Sequence, residues 1–200
     1  MSTSPNPADA SNAWRTTDIV VAAVVAVAFG VVFVAWNALY AAAGPVFTFF
    51  WPAQAAMYGV WLLPGVLVGL IVRRPGAAFF GGFVSAAVSV LLGSPYGVDA
   101  LISGAIQGGG AELGFAIGLY RAWNLPFAIL AGALAGLAAA VHDVPLYYPE
   151  VGLPLQLAYG AFTIGSGAIV AGIGAWLLVR ALAGTGVLSA FPSGRSQEPI

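Results

Sequence analysis

Apolar residues run along this chain in stretches of membrane length, divided by short breaks rich in glycine, proline and charge. The first stretch continues from Ile19 to about Ala43, and Asp18, with Thr17 before it, is placed to cap a helix there. Crossing a hydrocarbon core takes about 20 such residues, whereas a signal peptide has a shorter apolar core behind a basic start, so a retained first helix is expected. Helix 2 is predicted over about 53–72, bent at Pro64 and Gly65 and stopped by Arg73, Arg74, Pro75 and Gly76. Helix 3 takes 77–92, short for a span, and a turn from Gly93 to Gly97 leads to helix 4 over 101–120. Asn124 and Pro126 open helix 5, which is expected to end at His142 and Asp143 before a loop, VPLYYPEVGLP. Helix 6 is predicted over 155–182. The polar, Gly- and Pro-containing ends, 1–16 and 183–200, read as a disordered tail and a flexible one. The pattern thus predicts an all-α, polytopic membrane protein with a six-helix domain over 17–182.

Composition sharpens this. Of 200 residues, 60% are hydrophobic and 6% charged, with mean hydropathy +0.95. Soluble domains carry about 25% charged residues, so the chain is excluded from that class. Its net charge of -1 and scattered arginines give no footprint for nucleic acid. With no cysteine, one histidine and no lysine, the chain has no thiol chemistry, no His-rich metal site and no phosphate loop of the GxxxxGK[ST] kind. No cofactor is called for, and any ATP hydrolysis would come from another subunit. With six helices, Arg15, Arg73, Arg74, Arg121, Arg180 and Arg195 all fall on one side. The positive-inside rule then puts both termini in the cytoplasm and the connections at 43–52, 93–99 and 143–154 outside.

Two stripes of small residues at four-residue spacing predict close helix packing: Ala22, Ala26 and Gly30 on helix 1, and Ala128, Gly132, Gly136 and Ala140 on helix 5. The first could meet another helix of the chain or a partner subunit. Candidate chemistry centres on LISGAIQGGGAELGFAIGLY, where Gln107 and Glu112 interrupt an apolar helix. A carboxylate near a bilayer centre costs roughly 2.5 to 3.5 kcal/mol, so it is expected to face a partner or a ligand. Gln107 should lie roughly 10 Å, and Glu112 roughly 17 Å, below the outer end of the helix. Nearer that end come Trp36, Asn37, Tyr40, Gln54, Tyr58, His142 and Tyr159. Together they predict an outward-opening cavity with Glu112 at its floor, suited to a small flat ligand that is cationic or rich in N–H donors. Asp143 is expected to be solvated outside the hydrocarbon.

Six helices, the basic inner side, the small stripe on helix 1, the WPAQ run at 51–54 and the QGGGAE run at 107–112 resemble the substrate-binding S component of an energy-coupling-factor (ECF) vitamin transporter, of the YkoE-type thiamine or hydroxymethylpyrimidine family. The resemblance covers most of 14–182. It implies a binding subunit that works with a transmembrane T component and two ATPase subunits, with Ala22 and Ala26 matching an AxxxA contact to the T component and the pattern continuing to Gly30. Glu112 and Gln107 would then hold the aminopyrimidine or the thiazolium charge, with stacking from Trp36 or Tyr58. A stand-alone proton-coupled carrier using Glu112 is the alternative. A membrane enzyme would need a second catalytic group near Glu112, and a structural subunit would use Glu112 for internal pairing.

Overall fold

The structure, a computed structural model, describes residues 13–195, which form helices joined by turns. Helix α1 is Thr16–Ala43. The 3-10 turns Gly44–Phe47 and Trp51–Met57 lead into α2, Gly59–Val72. Then follow α3, Ala77–Leu91, α4, Asp99–Ile117, and α5, Leu125–Tyr147. Helix α6, Leu153–Ser166, continues through a π-helical turn, Gly167–Ile173, into α7, Gly174–Gly184, and a short α8, Pro192–Arg195, closes the described chain. Among the described residues, four segments are long and apolar enough to span a membrane: Thr16–Phe47, Trp51–Val72, Leu125–Tyr147 and Leu153–Gly184. Helix α3 is apolar but shorter, at 15 residues. Glycines, Gln107 and Glu112 hold down the hydropathy of α4.

Helix α2 is the centre of the bundle. Its span is 72% buried against 22% for that of α1, which presents Val20, Val24, Val27 and Val31 outward. Such an apolar outer surface suits lipid. The inward face of α1 is a single stripe, Ala22, Ala26, Gly30, Phe33 and Asn37. A Cβ on Gly30 would stand 2.5 Å from Val88 Cβ of α3. The expected partner-binding stripe, Ala22, Ala26 and Gly30, is therefore spent within the chain, because its lack of bulk lets α1 and α3 approach closely. The stripe on α5 works the same way: a Cβ on Gly132 would lie 2.1 Å from the Gly167 carbonyl oxygen, and one on Gly136 2.5 Å from that of Thr163.

Three other expectations change. Helix α5 does not stop at Asp143 but continues to Tyr147, carrying Pro145 in its last turn. Asp18 is not the cap of α1 but sits three residues after the N-cap, Arg15, where its buried carboxylate accepts from the Arg15 backbone N–H at 2.9 Å. It pairs with the Arg15 guanidinium at 2.7 Å and faces that of Arg74 at 3.9 Å. The stretch beyond residue 183 is not a loose tail over its described part. Leu188, Phe191 and Ser193 are buried, the Ser193 hydroxyl donates to the Ile71 carbonyl at 3.1 Å, and the Arg15 guanidinium lies 5.7 Å from the Phe191 ring centre. The expectations for residues 1–12 and 196–200 lie outside the described residues.

Candidate functional site

Helix α4 carries the site on one face. Asp99, Ser103 and Gln107 recur every four residues, so they stack along one side, and all three line a cavity of about 310 Å³. The opposite walls come from Phe33, Asn37 and Tyr40 of α1, Tyr58 and Trp61 at the start of α2, Asp143 and Tyr147 at the end of α5, and Tyr159 of α6.

A hydrogen-bonded chain crosses this cavity. The buried Asp143 carboxylate accepts through Oδ2 from the Tyr58 hydroxyl at 2.7 Å and the Tyr159 hydroxyl at 2.6 Å. Gln107 donates through Nε2 to the Tyr58 oxygen at 3.0 Å and to the Ser103 hydroxyl. His142 sits between two carboxylates, with Nδ1 2.9 Å from Asp143 Oδ1 and Nε2 3.3 Å from Asp99 Oδ1. The Tyr147 hydroxyl donates to the other Asp99 oxygen. Asp143 is thus a buried anion held by phenols, the charge-assisted arrangement that makes such burial tolerable.

Around the carboxylates stands an aromatic wall. The Trp61 ring packs edge-on against Tyr40, Tyr58 and Tyr96 at centroid distances of 4.8, 5.2 and 6.2 Å, and its N–H donates to Asn37 Oδ1 at 2.9 Å. Tyr148 stacks on Trp51 at 4.4 Å and tilts against Tyr159 at 4.9 Å. Burial, and after it the negative charge of Asp143, raises the phenols of Tyr96 and Tyr148 above their ordinary range, so both stay neutral donors.

Of the residues predicted from sequence, Asn37, Tyr40, Tyr58, Gln107 and Tyr159 line the cavity. Trp36, Gln54, His142 and Glu112 do not. Trp36 donates to the Met57 carbonyl at 3.2 Å and Gln54 to that of Tyr40 at 2.7 Å, so both brace the turns after α1. His142 supports the two carboxylates. Glu112 faces away toward the start of α3, where Oε1 accepts from the Gly76 N–H at 2.6 Å and Oε2 from those of Ala78 at 2.9 Å and Phe79 at 3.3 Å. It satisfies the first N–H groups of a helix and complements the helix dipole. The Gly108–Gly110 run also serves packing. Cβ atoms at Gly108 and Gly110 would meet the Phe79 carbonyl oxygen at 2.9 Å and that of Leu134 at 2.6 Å, while one at Gly109 would meet nothing.

Sequence reasoning missed Asp143, Asp99 and Trp61. Two signals were present: the four-residue spacing of Asp99, Ser103 and Gln107, and Trp61 one turn after Tyr58. For Asp143 the signal was masked by Pro145 and the aromatic run behind it, which read as a loop.

A bundle of apolar helices around a cavity lined by one buried carboxylate and many rings is a membrane-embedded ligand-binding subunit. The comparisons place it further. Residues 17–138 match the family described as "ABC-type cobalt transport system, permease component". The chain is 30% identical over 187 residues, 91% of each sequence, to YkoE of Bacillus subtilis (strain 168), provisionally named as an HMP/thiamine permease protein. A crystal structure of an S component of an ECF transporter superposes with a TM-score of 0.85 at 30% identity, covering 92% of this chain and 93% of that one. The chain belongs to the YkoE-type family of ECF transporter S components, membrane proteins of vitamin uptake.

Proposed function

We propose that this chain is the substrate-capturing subunit of an ECF-type importer for thiamine or its hydroxymethylpyrimidine precursor. It sits in the plasma membrane with six helices and both termini cytoplasmic, and its cavity opens outward. A transmembrane T component and two ATPase subunits supply the energy, and the chain itself is a binding protein, not an enzyme.

The observation that carries the ligand reading is Asp143, a buried carboxylate at a cavity wall of tyrosines and tryptophan. Thiamine brings a permanent thiazolium cation and an aminopyrimidine; hydroxymethylpyrimidine brings the ring alone. A carboxylate balances the first and accepts from the amino group of either, while Trp61, Tyr40 and Tyr58 present faces and edges to flat rings. Both Gln107 hydrogens are spent on Tyr58 and Ser103, so toward a ligand it offers its carbonyl oxygen. The volume lies at the small end of ligand pockets, which run from about 300 to 1,000 Å³. A bare metal ion is a poorer fit, since among the described residues no group of three or more His, Cys, Asp or Glu side chains is placed to hold one.

Calorimetry on detergent-purified protein tests this. Wild type should bind thiamine or hydroxymethylpyrimidine, and Asp143→Asn should bind at least about tenfold more weakly, a loss of about 1.4 kcal/mol. Equal binding by the two proteins removes Asp143 from the site, and no binding by wild type removes the ligand class. Uptake in cells lacking the ATPase subunits would instead favour a stand-alone proton-coupled carrier.

A further inference from the structure

We infer that this cavity rejects phosphorylated ligands and that Asp99 sets the rejection, an inference that rests on the ligand reading above. Asp99 and Asp143 both line the cavity, and His142 lies between them, 3.3 Å from one and 2.9 Å from the other. The two carboxylates therefore stand about one imidazole apart. A ligand that fills about 310 Å³ and meets Asp143 has its remaining groups near Asp99. A phosphoryl group placed there brings roughly 1.5 to 2 further negative charges at neutral pH. Even with His142 as imidazolium, the trio keeps a net negative charge.

Nothing described in the cavity offsets this. The sequence has no lysine, and no arginine lines the cavity. Arg15 pairs with Asp18, Arg73 and Arg74 stand in the α2–α3 connection, Arg121 follows α4, and Arg180 packs on Trp176. Of the tyrosines that line the cavity, Tyr58 and Tyr159 already donate to Asp143 and Tyr147 to Asp99, while Tyr40, Tyr96 and Tyr148 offer phenol hydroxyls but no positive charge to balance a phosphoryl group. One remaining source of positive potential is the N-terminus of α4, a natural place for an anion, and Asp99 occupies its first turn. Losing that charge would both remove a repulsion and free the helix end. Phosphate esters of the ligand would then have to be hydrolysed by a phosphomonoesterase reaction before capture.

The test is calorimetry of thiamine, hydroxymethylpyrimidine and thiamine monophosphate against wild type, Asp99→Asn and Tyr147→Phe. Wild type should bind thiamine at least about tenfold more tightly than the monophosphate, and Asp99→Asn should narrow that ratio. Tyr147→Phe removes the phenol that holds Asp99 but keeps its charge, so it should preserve the ratio. Equal binding of both compounds by wild type overturns the inference, as does an unchanged ratio in Asp99→Asn or a collapsed one in Tyr147→Phe. Absence of binding by all three compounds overturns the ligand reading itself, and the selection with it.

Discussion

Glu112 and Asp143 are both carboxylates on apolar helices, and their neighbours give them different work. Glu112 takes three backbone N–H groups at the start of α3 and lies outside the cavity. Glu112→Ala should therefore lower stability by about 2 kcal/mol, the scale of a lost helix cap or a charged hydrogen bond, while leaving ligand affinity within about twofold. Thermal unfolding in detergent beside calorimetry checks both halves, and a large loss of affinity with an unchanged melting temperature would return Glu112 to the site. Tyr159→Phe makes the opposite test. It removes one of the two phenols on Asp143 Oδ2 without opening space, so it should weaken ligand binding more than it lowers the melting temperature.

At the scale of elements, glycine decides how closely the helices approach. Gly132 faces the π-helical turn with no room for a methyl group, and Gly109 faces open space. Gly132→Ala should cost about 1 to 3 kcal/mol, the range for overpacking a filled interior. Gly109→Ala should be neutral or stabilise by up to about 1 kcal/mol, because alanine is the better helix former. Melting temperatures of the two variants in one detergent decide it, and equal destabilisation would contradict the packing described. Ser166 pins the same region from the other side, accepting from the Gly59 N–H at 2.9 Å and donating to the Ala56 carbonyl at 2.5 Å. The start of α2, which carries Tyr58 and Trp61, is thereby held against α6.

For the whole molecule, the arginine distribution predicts a topology that labelling can test cleanly, since the chain contains no cysteine. Val98 and Thr185 are both exposed, at opposite expected sides. In intact cells a membrane-impermeant maleimide should label Val98→Cys and spare Thr185→Cys until the cells are opened. The reverse pattern would invert the molecule and turn the cavity inward. Much of this architecture was legible in the sequence because hydrophobicity and helix breaking are local: the end of α2 and the bounds of α3 follow from apolar runs and from the Arg73–Gly76 break, whereas α2 begins at Gly59, after a 3-10 turn, and not near residue 53. The clustering of Asn37, Tyr40, Tyr58, Gln107 and Tyr159 followed from depth along those helices. Tertiary structure alone decided which carboxylate faces the cavity, because partners come from far along the chain: Gly76 is 36 positions from Glu112, and Tyr58 is 85 from Asp143. It also decided that the Ala22, Ala26 and Gly30 stripe turns inward and that the segment around Phe191 packs on the bundle. A side chain's spacing fixes the face of the helix it lies on, and only the packing of the other helices fixes what that face meets.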